Sequence, residues 1–145
     1  MTDFSDVADR LAIIDLATQM FVYCDQKRWD DLAEVFTAKV DFDGGFGDPA
    51  ASRPAADIVA DWRAGLGDLD AIHHQAGNYL IDRDGDTADV HADSIAVHVK
   101  NDAANGKTRT FVGSYDLGVE RTPAGWRINR FHYLLKVVDG NADLS

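Results

Sequence analysis

The chain carries a single cysteine, Cys24, which excludes an internal disulfide and a cysteine-rich metal site. Such usage suits a reducing cytoplasm, the compartment expected for it. Basic charge is scarce. Lys and Arg total 14 against 25 Asp and Glu, giving a formal net charge of −11 and a sequence pI of about 4.6. An acidic surface of this kind disfavours nucleic acid and anionic membranes and fits small neutral or cationic ligands. No apolar run approaches the ~18 residues that a membrane span needs. The start, Met-Thr-Asp-Phe-Ser-Asp, lacks the basic and apolar regions of a secretory signal. Internal repeats, low-complexity segments, linkers and a Gly-rich phosphate loop after a strand are all missing. At 145 residues, 46% of them hydrophobic, the chain should form one domain with a substantial core.

What is present is a helical first half and an extended second half. Ser5 or Asp6 can cap a first helix running to about Cys24. Val7, Leu11, Ile14, Ala17 and Phe21 recur at helical spacing, and Ile13, Leu16 and Met20 widen the stripe. Residues 28–37 read as a short second helix with Trp29, Leu32, Val35 and Phe36 inward. Val40–Asp43 reads as a strand, Gly44–Pro54 as a loop, and about 55–66 as a third helix presenting Ile58, Val59, Trp62 and Leu66. Four strands follow, at about 73–82, 87–99, 108–120 and 126–138. Asp84-Gly85 marks a hairpin. The tail from Asp139 is expected to fray. The order α-α-β-α-β-β-β-β suggests a curved sheet wrapped over helices.

Two features suggest chemistry. Asp25 lies one turn after Phe21 and extends the buried stripe, where a carboxylate needs a partner. It also sits at a helix C-terminus, where negative charge costs roughly 0.3–1 kcal/mol. The pair His73-His74 opens the strand after the third helix. A buried Asp–His pair is a general base with its tautomer fixed. Strict alternation puts Trp126, Ile128, Arg130, His132 and Leu134 on one face of the last strand, and Arg127, Asn129, Phe131, Tyr133 and Leu135 on the other. In the strand at 87–99, Val90, Ala92, Ser94, Ala96 and His98 share a face whose small residues leave room for a pocket. His91 and Asp93 face the other way. His73, His74, His91 and His98 scatter over two faces without a Cys or Glu to complete a compact set, so no metal is expected.

Several ordered pieces carry a family resemblance: Ile13-Ile14-Asp15-Leu16, Asp25, Trp29 to Phe36, Ile72 to Asn78, Asp84 to Ala88, Gly113-Ser114-Tyr115 and Gly125 to Ile128. Over roughly residues 5–137 the chain resembles the SnoaL-like group of the nuclear-transport-factor-2-like superfamily. The resemblance implies an α+β cone, a strongly curved and mostly antiparallel sheet whose central pocket is closed by three N-terminal helices. Within the superfamily it is similar to the branch holding scytalone dehydratase, bile-acid 7α-dehydratase and hexachlorocyclohexane dehydrochlorinase. That likeness implies Asp25 orienting His73 as base, with His74 on the other face of the strand and Arg130 stabilising an oxyanion or leaving group. Where the dehydrochlorinase has a lysine one turn before the Asp, this chain has Met20.

The function expected is a cofactor-independent lyase, dehydratase-like, or isomerase acting on a small apolar cyclic substrate. Phe21, Tyr23, Phe42, Trp62, Leu66, Ser94, Ala96, His98 and His132 are the expected substrate contacts. Two alternatives stay open: a pocketed binding or accessory protein without turnover, and a polyketide cyclase using aldol chemistry. Family members often assemble through the outer face of the sheet. Arg127, Phe131, Tyr133 and Leu135 would offer an apolar patch there for a homo-oligomer, dimer or trimer.

Overall fold

A computed structural model describes residues 4–145. Helix α1 spans Phe4–Asp25 and α2 spans Trp29–Ala33. Strand β1 (Phe36–Asp43) and strand β2 (Ala51–Pro54) precede α3 (Ala55–Leu66). Strands β3 (Ala71–Asp84), β4 (Thr87–Val99), β5 (Thr108–Thr122) and β6 (Gly125–Gly140) complete the chain. The six strands form one curved, unclosed sheet in the order β2-β1-β6-β5-β4-β3. β1 runs parallel to β6, and every other pairing is antiparallel. This is the α+β cone anticipated, with the helices across its concave side.

The helices follow their apolar spacing only where the sheet can receive it. Ile13, Leu16, Ala17, Met20, Phe21 and Cys24 are buried, a single stripe at i, i+3, i+4, i+7, i+8 and i+11. Val7 and Leu11 are exposed because the first turns of α1 lie at the rim. Charge holds that end: Asp6 takes Arg83 at 2.8 Å and Arg10 at 2.9 Å, and Asp9 takes Arg121 at 2.7 Å. α2 stops at Ala33, short of residue 37, because the chain turns extended to pair with β6. The Ile128 amide donates to the Val35 carbonyl at 2.8 Å, and tertiary pairing overrides local helical preference. Part of the expected 44–54 loop is strand β2, which pairs with β1 through Phe42 opposite Ala51.

Breaks in register set which side chains face inward. Between β5 and β6, Gly118 pairs with Arg130 but Val119 pairs with Ile128. Asn129 is thus an extra residue, a β-bulge that reverses the facing of the residues after it as far as Leu135; a further extra residue, Lys136, lies between the pairs Gly113–Leu135 and Val112–Val137. Trp126 and Ile128 point into the core, and then Phe131 rather than Arg130 is buried. The expected alternation of β6 therefore fails beyond Ile128. Arg130 and His132 lie on the convex face, and Phe131 and Tyr133 on the concave one. The exposed apolar side chains of the convex face include Leu80, Ile95, Leu134 and Val137, and not Phe131 or Tyr133. β3 contains another such break. Gly77 pairs with Asp93 and Leu80 with His91, and Asn78 adopts φ 55° at the extra position. Up to Ala76 the even-numbered residues face inward; beyond the break Tyr79 and Ile81 do.

The C-terminal segment is docked, contrary to the expected fraying from Asp139. Leu144 is only 2% exposed and packs with Leu69 and Ile72. Among the described residues, no helix is long and apolar enough to cross a membrane.

Gly113 admits the cup's inner wall. A Cβ built there would lie 2.3 Å from the Tyr133 hydroxyl and 2.6 Å from the Leu134 carbonyl oxygen. The backbone side of that clash cannot swing away. Gly113→Ala is expected to destabilise the fold by about 1–3 kcal/mol, read as a lower midpoint in urea unfolding. An unchanged midpoint would show that Tyr133 is not fixed over this glycine.

Candidate active site

α1 ends in a left-handed turn that fixes where its last carboxylate points. The Lys27 amide donates to the Cys24 carbonyl at 3.0 Å and the Arg28 amide to the Tyr23 carbonyl at 2.8 Å, with Lys27 at φ 56°. This is a Schellman stop, which favours glycine at the position Lys27 fills. The lysine is used elsewhere: its Nζ donates to the carbonyls of Gly67 at 2.9 Å and Leu69 at 2.5 Å. It thereby ties the end of α1 to the segment leading into β3.

Asp25 then meets β3 at two atoms. The His74 amide donates to Oδ2 at 2.9 Å, and His74 Nδ1 lies 2.6 Å from Oδ1. A carboxylate only accepts, so Nδ1 carries a proton, and in the neutral ring Nε2 is the nitrogen with the lone pair. His74 Nε2 has no protein partner among the described residues, and the ring lines the central cavity. The expected partner was His73. That residue is exposed, with Nε2 3.2 Å from Gln75 Oε1, and it is His74 that takes the Asp25 carboxylate. Strand register gives the reason. Ile72, His74 and Ala76 pair with His98, Ala96 and Ser94, the concave positions of β4.

The cavity holds about 940 Å³, enough for a ligand of one or two rings. Phe21, Phe42, Trp62, Leu66, Ala96 and His98 line it as expected from their places in the sequence. Phe111, Tyr115, Phe131 and Tyr133 complete an aromatic wall that the sequence reading missed. Phe42 stacks on Phe131 with centroids 5.4 Å apart, and Trp62 lies 5.2 Å from Phe131. Burial raises the pKa of Tyr115 and of Tyr133, so both phenols stay protonated at neutral pH. Charge is confined to Asp48, Arg53, Asp61, Arg109 and Asp143.

Besides His73, four expected site residues lie elsewhere. Arg130 Nη2 binds Asp89 at 2.7 Å and Asp116 at 2.9 Å on the convex face, so it cannot reach an oxyanion in the cup. His132 faces Asp41 at 3.1 Å on that same side. Tyr23 borders a small surface pit with Arg28 4.3 Å over its ring. Ser94 is concave but sits behind Tyr115, their hydroxyls 3.5 Å apart. Cys24 does line the cavity, yet burial first and the Asp25 charge second push its thiol up to about 12. It is no nucleophile at neutral pH.

His98 is the second imidazole of the cup. Its ring centroid lies 6.3 Å from that of His74, and its Nδ1 receives the Arg109 Nε–H at 2.8 Å. Arg109 was not anticipated, although it is the direct cross-strand partner of His98. Its Nη1 also donates to the Ala142 carbonyl at 3.1 Å, so the docked tail steadies it. Burial first, then the Arg109 charge, lowers the pKa of His98 to about 4. No group of three or more His, Cys, Asp or Glu among the described residues could hold a metal ion.

A family description, SnoaL-like domain, matches residues 5–132. The chain belongs to the SnoaL-like family. Its relatives include the uncharacterised Mycobacterium tuberculosis protein Rv2910c, 33% identical over 134 residues, covering 90% of this chain and 87% of that one. Among solved structures, Kfla4162 from Kribbella flavida is 31% identical with a TM-score of 0.87, covering 96% of this SnoaL-like chain and 97% of its own. A candidate aromatic ring hydroxylase from Novosphingobium aromaticivorans is 27% identical with a TM-score of 0.80, covering 95% and 96%. The SnoaL-like cone is also shared by a candidate scytalone dehydratase from the same bacterium, at TM-score 0.80 and 17% identity. A hexachlorocyclohexane dehydrochlorinase from Novosphingobium barchaimii shares it at 0.79 and 16%. Likeness at those identities concerns the fold.

The low pKa of His98 fixes the sign of a pH effect. The unfolded ring takes up a proton as pH falls through about 6.5, whereas the folded ring does so only near 4. Its contribution to stability is present above 6.5 and is lost as pH falls towards 4. Urea unfolding between these pH values should therefore weaken more steeply for the native chain than for His98→Gln. Equal slopes would mean that the ring titrates normally.

Proposed function

We propose that this chain is a cofactor-independent lyase or isomerase, with His74 as general base and Asp25 as its orienting carboxylate. The observation that carries the reading is the two-point grip of Asp25 on His74, with the free Nε2 in a mostly aromatic cavity. A carboxylate that accepts from Nδ1 stabilises the imidazolium that forms when Nε2 takes a proton. The flat aromatic walls suit a small cyclic substrate, and an adjacent carbonyl would make the carbon that gives up its proton acidic. The names of structural neighbours, a dehydratase and a dehydrochlorinase, agree with chemistry that begins by taking a proton from carbon. Arg130 has no part in it.

Proton abstraction leaves a trace whatever product follows. Cyclic ketones incubated with the protein in deuterated water should gain deuterium next to the carbonyl, monitored by proton NMR. His74→Ala is expected to cut the exchange rate by about 10²–10⁴-fold. Asp25→Ala should cut it as well, and the double variant should be little slower than His74→Ala, because the two act as one unit. Exchange that survives His74→Ala would reject the base and favour a binding protein.

A further inference from the structure

The two imidazoles of the cup are held in opposite senses. His74 gives its Nδ1 proton to Asp25, so its Nε2 is a proton acceptor. His98 receives a hydrogen bond at Nδ1 from Arg109 Nε, 2.8 Å away. An arginine Nε–H can only donate, so His98 Nδ1 must be the bare nitrogen and the single ring proton sits on Nε2. That Nε2–H has no protein partner among the described residues. Nor is the atom among the buried polar atoms left without one. It therefore opens onto the cavity that the ring lines.

We propose that His98 is a neutral hydrogen-bond donor for the oxygen of a ring ketone or enone, with Arg109 as the positioning residue that fixes its tautomer. This rests on the reading of His74 as base and names the substrate class for it. The carbon–hydrogen bond beside the carbonyl faces His74, and the carbonyl oxygen faces His98. His74 Nε2 takes the proton, and the electron pair of the broken C–H bond moves through the new C=C bond onto oxygen. His98 Nε2–H bonds more strongly to the enolate oxygen than to the starting carbonyl, which is what lowers the barrier. In an isomerisation the imidazolium of His74 returns the proton to another carbon. In a dehydration the enolate expels a β-hydroxyl, which leaves as water with that same proton.

A neutral donor is the right kind for this work. The ring is nearly covered by protein, at 4% exposure, and a cation in place of the neutral ring would sit beside the Arg109 guanidinium. The His98 pKa of about 4 agrees with a ring that stays neutral. A neutral imidazole polarising a carbonyl is a known solution in enzymes that form enolates. Arg109 is itself held in place by Ala142, and its guanidinium lies 5.1 Å from the centroid of the Phe111 ring.

The test uses 4-nitrophenol, ionised, as a stand-in for the enolate, and 4-nitrotoluene as a partner of similar shape without the oxygen. The native chain should bind the phenolate in preference. His98→Phe should weaken phenolate binding by about tenfold or more, the loss of one hydrogen bond to a charged acceptor. Binding of 4-nitrotoluene should weaken far less, and His98→Gln, which keeps an N–H donor, should recover part of the loss. Long-range proton–nitrogen NMR of the native chain should show His98 protonated at Nε2, and Arg109→Met should abolish that preference. No preference for phenolate, undiminished phenolate binding in His98→Phe, or a native His98 protonated at Nδ1 would each overturn the proposal. Deuterium exchange and its loss in His74→Ala report on the base, whereas the preference for phenolate over 4-nitrotoluene and its loss in His98→Phe report on the donor, so a failure of one is distinguishable from a failure of the other.

Discussion

Asp25 grips one residue of β3 at both its backbone and its ring, and the site is organised around that contact. The amide bond to Oδ2 at 2.9 Å fixes the strand, and the Nδ1 contact to Oδ1 at 2.6 Å fixes the imidazole. A carboxylate at a helix C-terminus is electrostatically misplaced. Here it receives two donors from the neighbouring strand, which offsets that cost and satisfies the oxygens of a largely covered group. The same contact ties α1 to the edge strand of the sheet, so the interaction that orients the His74 ring also closes the cup. Lys27 reinforces it by holding the carbonyls of Gly67 and Leu69 just ahead of β3.

The remainder of the site depends on where the sheet breaks its alternation. The extra residue at Asn129 turns Phe131 and Tyr133 inward and sends Arg130 outward to Asp89 and Asp116. The cup thereby loses a cation from its last strand and gains two aromatic rings. Half-buried Arg109, from β5, does not point freely into the cavity but is committed to His98 and to the C-terminal segment. The outcome is a mostly aromatic cavity that Asp48, Arg53, Asp61 and Asp143 also border, with the two histidine Nε2 atoms among the polar atoms left open in it. In such surroundings each hydrogen bond to a substrate counts for more than it would in water.

Much of the fold was legible in the sequence, because helical spacing in 13–24 and the small-residue face of β4 are strong periodic signals. The site was legible in its parts more than in its pairing. Asp25 stood out as a carboxylate on a buried stripe, and His98 as a histidine on the pocket-facing side of β4. His74 was passed over for His73, yet its neighbours at i±2, Ile72 and Ala76, are apolar, whereas those of His73 include Gln75. That contrast was the available signal. Arg130 and His132 were misplaced because one inserted residue reverses a strand's faces, and an Asn in a strand does not announce a bulge. Arg109 was out of reach of motif reading. Its role arises from cross-strand pairing with His98 and from a tail whose docking depends on Leu144 finding Leu69 and Ile72. The truncation of α2 likewise depends on a partner strand more than ninety residues away, at Ile128.

The most direct measurement is the protonation site of the neutral His74 ring, from long-range proton–nitrogen NMR of the native chain beside Asp25→Ala. The expected result is a proton held on Nδ1 and a bare Nε2 in the native chain, with that preference gone when the carboxylate is removed. A native His74 protonated at Nε2, or one indifferent to the loss of Asp25, would contradict the base that the Asp25 grip is held to create.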